Sequence, residues 1–313
     1  MGKYAFGVDI GGTTVKMGLF DDEGSLLKKW EIPTRKEESG SYILSDVAEN
    51  IEAVIAERSI KREDVIGVGV GSPGLVLSDG TVVSAVNLGW ERMNIPAVLG
   101  GYLGLPVKAS NDANMAAYGE LWQGGAKGHQ SIVMVTLGTG VGVGVIIDGK
   151  ILVGATGAGG EAGHMQINAE ETEVCKCGRK GCLEQYASAT GIARLASKRL
   201  AADKKASFLR KMPYVSAKTV FDGVKKGDQV SIEIAEEFGH YLGDGLAKIA
   251  SIVDPEVFVI GGGVSKAGEV LLGYIRPMYE KYAFSSNWNA LLKLATLGND
   301  AGIYGAAGLF LMK

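Results

Sequence analysis

One pattern that occurs twice constrains this chain more than any other. From Tyr4, YAFGVDIGGTTVKMGLFDDEG runs as an apolar strand, a polar glycine turn at Gly11 to Thr14, a second strand and another turn. From Ser131, SIVMVTLGTGVGVGVIIDGK repeats that outline, so that Gly11-Gly12-Thr13 aligns with Gly138-Thr139-Gly140, 127 positions later. Apolar runs separated by such turns predict β-hairpins. A solenoid would repeat every 20 to 50 residues or so, and the wider spacing predicts two duplicated lobes instead. The length of 313 residues agrees, since a single hydrophobic core stops growing at about 250 to 300 residues.

Between the hairpins the sequence predicts a helix over about 41–58, a strand over 65–71 ending in GSPG, a helix over about 93–103, the strand PVKAS and a helix starting near Asp112. Beyond the second hairpin come the helical SATGIARLASKRL, a connecting stretch around 202–227 and a long helix over about 229–251. The apolar strand EVFVIGGG, a helix from about 266, the strand LLKLATL and a helix over 302–313 complete the pattern. Strands and helices interleave throughout, which is the α/β class.

Charge narrows the partners. With 32 Lys and Arg against 35 Asp and Glu, the net charge is -3 and no polybasic run occurs, so neither nucleic acid nor an anionic membrane surface is expected to bind. The N-terminal MGKYAFGVDIGGTT lacks the features of a signal peptide, and no apolar run of about 18 residues appears, so the reading expects a cytoplasmic protein. Glycine, at 47 residues, is about twice its usual share, which predicts many tight turns and backbone-lined sites.

The turns are the first candidates for chemistry. Asp9 stands at a strand end just before Gly11, Gly12, Thr13 and Thr14, whose backbone N–H groups and hydroxyls could cradle an anion. Taken singly this would be an ordinary glycine hairpin. Its echo at Gly138, Thr139 and Gly140 lets paired turns hold a nucleotide's phosphates. A third turn, Gly261, Gly262 and Gly263, follows an apolar strand and precedes a helix, where backbone can approach a flat ring or a phosphate. Neither a GxxxxGK[ST] loop nor a strand-turn-helix GxGxxG is present, so these are not P-loop or Rossmann signatures.

Asn111-Asp112 joins a strand to a helix, the place of an N-cap worth about 1 kcal/mol. A carboxylate at the C-terminal end of a strand in an open α/β sheet also points to where ligands bind, and could accept a hydroxyl proton. All three cysteines, Cys175, Cys177 and Cys182, lie in CKCGRKGC. An odd number so closely spaced suits a metal better than a disulfide. Of the histidines, His164 is nearest, 11 residues before Cys175, whereas His129 and His240 lie elsewhere. Cys3His on Zn2+ leaves no open position, so the metal is expected to be structural. Closing this loop would draw Glu161 and Glu184 together as acceptors for a hydroxyl-rich ligand, with the free nitrogen of His164 contributing. On spacing alone the two carboxylates would equally be surface charges.

DIGGT near the N-terminus, NDAN from 111, GEAGH at 160–164 and CKCGRKGCLE at 175–184 together resemble the ROK family of sugar kinases and sugar-responsive repressors, and most of all its bacterial glucokinases. The likeness covers essentially the whole chain in order. It implies the actin-like ATPase fold, a duplicated ribonuclease H-like architecture with sugar and ATP in the cleft between lobes. Residues 1–112 would form the N-terminal lobe, completed by a helix at about 300–313, and 113–299 the C-terminal lobe with a structural zinc loop at 164–184. The resemblance implies that Asp112 is the catalytic base and that Asn111, Glu161, His164 and Glu184 bind sugar hydroxyls, with Asn87 and Gly74 nearby. It implies that Asp9 holds Mg2+ through water, that Thr13 and Thr139 touch phosphate, and that Gly261 to Gly263 lie beside the nucleoside of ATP. His164 matches the family's fourth zinc ligand.

The implied activity is ATP-dependent phosphorylation of glucose at its 6-hydroxyl, by a homodimer or homotetramer. N-acetylmannosamine, fructose, mannose or allose are alternatives, since discrimination between such close sugars rests on pocket shape and single hydrogen bonds. A sugar-responsive regulator would carry a winged helix-turn-helix ahead of the core, and the reading expects none. An actin-like filament or chaperone ATPase would share the nucleotide turns without the metal-held carboxylates.

Overall fold

The computed structural model describes residues 2–312. The chain opens with β1 (Tyr4–Ile10), β2 (Thr14–Asp21), β3 (Leu26–Pro33), the short α1 (Glu37–Gly40) and α2 (Ile43–Glu57). Next come β4 (Val65–Ser72), β5 (Leu75–Val76), β6 (Thr81–Ser84), β7 (Met93–Asn94), α3 (Ile95–Leu103), β8 (Val107–Asn111) and α4 (Asp112–Gln123). The second hairpin, β9 (Ile132–Leu137) and β10 (Val141–Ile147), is followed by β11 (Lys150–Ile151), α5 (Glu184–Ala187) and α6 (Ala189–Ala202). The remaining elements are α7 (Ala217–Lys225), α8 (Gln229–Val253), β12 (Val257–Gly261), α9 (Val270–Tyr282), β13 (Leu291–Leu294) and α10 (Ala301–Leu311).

The chain divides into two compact units, the first made of 1–128, 144–159 and 296–313, the second of 129–143 and 160–295. The repeat read from the sequence is a repeat of topology. One five-stranded sheet has the order β3-β2-β1-β4-β8, the other β11-β10-β9-β12-β13. In the first, β1 pairs antiparallel with β2 and parallel with β4, and β4 pairs parallel with β8. In the second, β12 lies parallel between β9 and β13. These sheets bear out the expected α/β class. Among the described residues no helix is long and apolar enough to cross a membrane.

In the first unit, alternation along β1 and β4 sends side chains to two different covers. Phe6, Val8 and Ile10, with Val68 and Val70, join Ile51 of α2 and Leu99 of α3 in one buried cluster. The opposite face is largely glycine, Gly7 of β1 with Gly67 and Gly69 of β4, beside Ala5 and Asp9. A Cβ on Gly69 would lie 1.8 Å from the carbonyl oxygen of Ala306, so α10 can rest on the sheet only because no side chain intervenes. Phe20, Ile303 and Leu311 are buried in this second cluster, each worth about 1.5–3 kcal/mol. On its other flank α10 meets α4, where a Cβ on Gly305 would fall 1.8 Å from the Met115 carbonyl oxygen.

Glu120 of α4 is fully buried. Its carboxylate accepts from the N–H groups of Gly125 at 2.7 Å, Leu297 at 2.8 Å and Thr296 at 3.0 Å. Charge-assisted bonds to fixed backbone donors make such a buried carboxylate tolerable. It ties down the segment that leads into α10.

In the second unit α8 is the central helix, with Ile234, Phe238, Leu242 and Leu246 fully buried along it. The rings of Phe221 from α7 and Phe238 pack edge to face, with centroids 5.9 Å apart. The structure departs from the sequence expectation here. The stretch 202–227, read as a connection, contains α7, opened by a capping box between Ser216 and Thr219. Its nine residues are amphipathic but fewer than the window in which a helical period is read. The helix expected over 93–103 begins with β7, and Asn94 caps α3 by accepting from Ala97 N–H at 2.8 Å. The antiparallel trio β5-β6-β7, with strands of two to four residues, is too short to show a period.

Candidate active site

In the first unit, Asp9 lies one residue from the end of β1, on the face that α10 covers. Gly302 abuts it so closely that a Cβ there would come within 2.7 Å of the Asp9 Cγ. The first turn of α10 thus meets the carboxylate, where a helix N-terminus favours negative charge. Burial, then the charge of Asp112, push the Asp9 carboxyl up to about 6, while Lys16 opposes the shift. Lys16 sits directly across the hairpin from Asp9 in the β1-β2 register.

Asn111 is the N-cap of α4, accepting from Ala113 N–H at 2.8 Å and Asn114 N–H at 3.4 Å. Its amide donates to the Gly74 carbonyl at 2.9 Å, and Gly74 takes the left-handed φ of 91° that favours glycine. Because Asn111 supplies the cap, Asp112 becomes the first helical residue, exposed, with its Oδ1 accepting from Ala113 N–H at 2.8 Å. The turn before β2 closes with Gly11 N–H donating to Thr14 O at 3.0 Å. Asn87, exposed, is the nearest neighbour of Gly12, its Cβ 3.9 Å from where a Cβ on Gly12 would stand. Asp9, Gly74, Asn87, Asn111, Asp112 and the turn from Gly11 to Thr14 therefore all belong to the first unit.

In the second unit, the turn from Gly138 to Gly140 closes with Gly138 N–H donating to Gly140 O at 3.0 Å. Gly262, with a φ of 82°, lies against the strand end before that turn, since a Cβ on it would be 2.6 Å from the Leu137 nitrogen. The glycine turns at 138 and 261 are thus neighbours.

The cysteine loop folds as its glycines dictate. Cys175 N–H donates to Arg179 O at 2.7 Å and Gly178 N–H to Cys175 O at 2.9 Å. Gly178 and Gly181 both have left-handed φ, 86° and 74°. The result gathers one ligand atom each from His164, Cys175, Cys177 and Cys182 within 4.8 Å of one another. His164 turns Nδ1 towards the sulfurs, 3.8 Å from Cys175 Sγ, which leaves Nε2 on the far side of the ring. Cys175 and Cys182 are buried, and burial first of all pushes the Cys182 thiol up to about 12. Thiolates in such a place call for a cation, which deprotonates coordinating thiols outright, so the donor set fits a metal.

Glu184 stands against this cluster, its Oε1 3.6 Å from Cys175 Sγ, while its Oε2 accepts from Val141 N–H at 3.2 Å beside the 138–140 turn. Glu161 is exposed on the turn that carries His164, its carbonyl accepting from His164 N–H at 3.1 Å. Sequence reasoning missed the brace behind the loop. Against burial that raises it, a hydrogen bond from Tyr186 at 2.6 Å and the Arg194 guanidinium at 2.7 Å hold the Glu171 carboxyl down at about 2. Their spacing in sequence carries no periodic signal. Lys16 was missed too, although the hairpin register fixes it opposite Asp9.

The ROK family model matches residues 5–313. The chain is 40% identical over 312 residues to a glucokinase of Halalkalibacterium halodurans, covering 98% of this chain and 94% of that one. Among solved structures, a ROK family glucokinase from Streptomyces griseus in complex with glucose and AMPPNP superposes with a TM-score of 0.75 at 34% identity, covering 99% of this chain and 100% of that one. A ROK hexokinase from Thermus thermophilus gives a TM-score of 0.81 at 32% identity, over 97% and 96% of the two chains. The fold is that of the ROK sugar kinases on which this chain superposes. The chain belongs to the ROK family.

Proposed function

We propose that this protein is an ATP-dependent glucokinase that transfers the γ-phosphoryl group of ATP to the 6-hydroxyl of glucose. The observation that carries the reading is the Asp112 carboxylate, exposed on the first turn of α4 and charge-coupled to the half-buried Asp9, in a chain 40% identical along its length to a glucokinase.

Asp112 accepts the proton of the 6-hydroxyl as its oxygen attacks phosphorus, a role worth about 10² to 10⁴ fold. Asn111, fixed by its bond to Gly74 and by capping α4, orients a hydroxyl beside it. Glu161, Glu184 and His164 Nε2 accept from or donate to further hydroxyls, and Asn87 and Gly74 are further candidates for sugar contact. N–H groups and hydroxyls of Thr13, Thr14 and Thr139, with Gly11, Gly12, Gly138 and Gly140, bind phosphate oxygens, and Gly261 to Gly263 lie along the nucleoside. Phosphoryl transfer asks little covalent help of a protein, so positioning and charge carry most of the rate. Asp9, a half-buried carboxylate close to a second one, fits a divalent cation's hydration shell; Mg2+ there would offset charge on the phosphates. His164, Cys175, Cys177 and Cys182 would hold Zn2+ as a closed structural site that sets the position of Glu184. The protein is taken to work in the cytoplasm as a homodimer or homotetramer.

The test is a coupled ADP-release assay with Mg-ATP across glucose, mannose, fructose, allose and N-acetylmannosamine. The highest kcat/KM is expected with glucose. Preference for another hexose would overturn the substrate assignment, and no turnover with any would overturn the kinase reading.

A further inference from the structure

Both glycine-threonine turns are tied down by their carbonyl groups, and in each a threonine makes the tie. In the first unit the Thr34 hydroxyl donates to Gly11 O at 2.7 Å and the Thr34 N–H to Thr13 O at 2.9 Å. In the second, the Thr190 hydroxyl donates to Thr139 O at 2.7 Å and the Ala189 N–H to Gly138 O at 2.8 Å. Thr34 follows the end of β3, whereas Thr190 is the second residue of α6. The duplication does not relate these two positions, yet both sides of the repeat end in the same arrangement.

A planar trans peptide points its carbonyl and the next residue's N–H to opposite sides. Fixing the carbonyls of Gly11 and Thr13 therefore fixes the N–H groups of Gly12 and Thr14 on the other side. Fixing those of Gly138 and Thr139 does the same for the N–H groups of Thr139 and Gly140. A flipped peptide would present a carbonyl oxygen where an anion is to sit, and successive N–H groups facing one way are what makes a turn attract one.

We propose that Thr34 and Thr190 are positioning residues for the nucleotide, latching the two turns in the orientation that receives phosphate. Thr34 is buried, so it acts through the turn. Thr190 is exposed but engaged, its hydroxyl also 3.0 Å from Ser188 Oγ. The inference rests on the reading that these turns take the phosphates of ATP.

The experiment compares Thr190→Val, Thr190→Ser, Thr34→Val and Thr34→Ser with the parent enzyme, varying Mg-ATP at saturating glucose and glucose at saturating Mg-ATP. Losing one hydrogen bond to each turn should raise the KM for ATP about threefold to tenfold in the valine variants. The KM for glucose should stay within about twofold and the serine variants should recover, since only the hydroxyl is needed. Valine variants with unchanged KM for ATP, or with both KM values raised together, overturn the proposal. Thr139→Val separates it from the reading beneath: if that variant raises the KM for ATP and Thr190→Val does not, the latch fails and the turn assignment stands. If Thr139→Val also leaves it unchanged, the turn assignment fails and takes the proposal with it.

Discussion

Asp112 lies close enough to Asp9 for its charge to add to burial in pushing the Asp9 carboxyl up to about 6. A carboxyl raised above its ordinary value of 3.8 binds more protons folded than unfolded between about pH 4 and 6. Stability of the ligand-free protein therefore falls as pH rises through that window, by linkage. Above it, the charged Asp9 costs on the order of 3 kcal/mol. Asp9→Asn should accordingly raise the Tm of the ligand-free protein at pH 8, with an advantage on the order of 1 kcal/mol smaller at pH 5, while abolishing turnover. An advantage that does not depend on pH would show that the Asp9 charge is not the source.

Asp112→Asn keeps the shape and the first turn of α4 but removes the proton acceptor. Its kcat should fall by about a hundredfold or more, with the glucose Kd, measured calorimetrically, changed by less than about threefold. Turnover near that of the parent enzyme would remove Asp112 from the role of base.

Cys177 contributes one of four donors gathered within 4.8 Å. Cys177→Ser should lose bound zinc, read by elemental analysis, and weaken glucose binding at the same time, because Glu184 rests against Cys175 of the same cluster. A zinc-free variant with the parent's glucose affinity would separate the metal from the sugar.

Two glycines should answer oppositely to the same substitution. Gly69→Ala drives a methyl to 1.8 Å from a backbone oxygen of α10 and should destabilise by about 1–3 kcal/mol or more. Gly101 is exposed in α3, and a methyl added there would meet nothing within 4 Å, so Gly101→Ala should stabilise by roughly 0.5–1 kcal/mol. Thermal melts of the pair decide whether close approach explains the glycines of β4.

The duplicated sheets were legible because a hairpin with a glycine-threonine turn leaves a period-two pattern around a fixed punctuation, and that pattern recurs. The Cys3His cluster was legible because ligand chemistry leaves few choices of residue. What the sequence hides is whatever depends on neighbours remote along the chain. Glu120 looks like any helical surface glutamate, yet it is fully buried because the backbone of Thr296 and Leu297 comes to it from 176 and 177 residues away. Thr190 reads as an ordinary residue of a helical start, and only the folded turn at Thr139 gives its hydroxyl a partner. Asp112 fell between the two: its strand-to-helix junction was plain, but the choice of Asn111 as cap shows only in the fold.

The glycine face of the first sheet has a consequence for synthesis. Its cover, α10, ends at Leu311, 188 residues after α4 ends at Gln123 (311 less 123). At ribosomal speeds of about 5–20 residues per second, the gap lasts on the order of ten to forty seconds. For that time the nascent chain carries β1 and β4 with one side open to water, a stretch on which holdase chaperones can act and which an early stop before Ala301 would leave exposed for good.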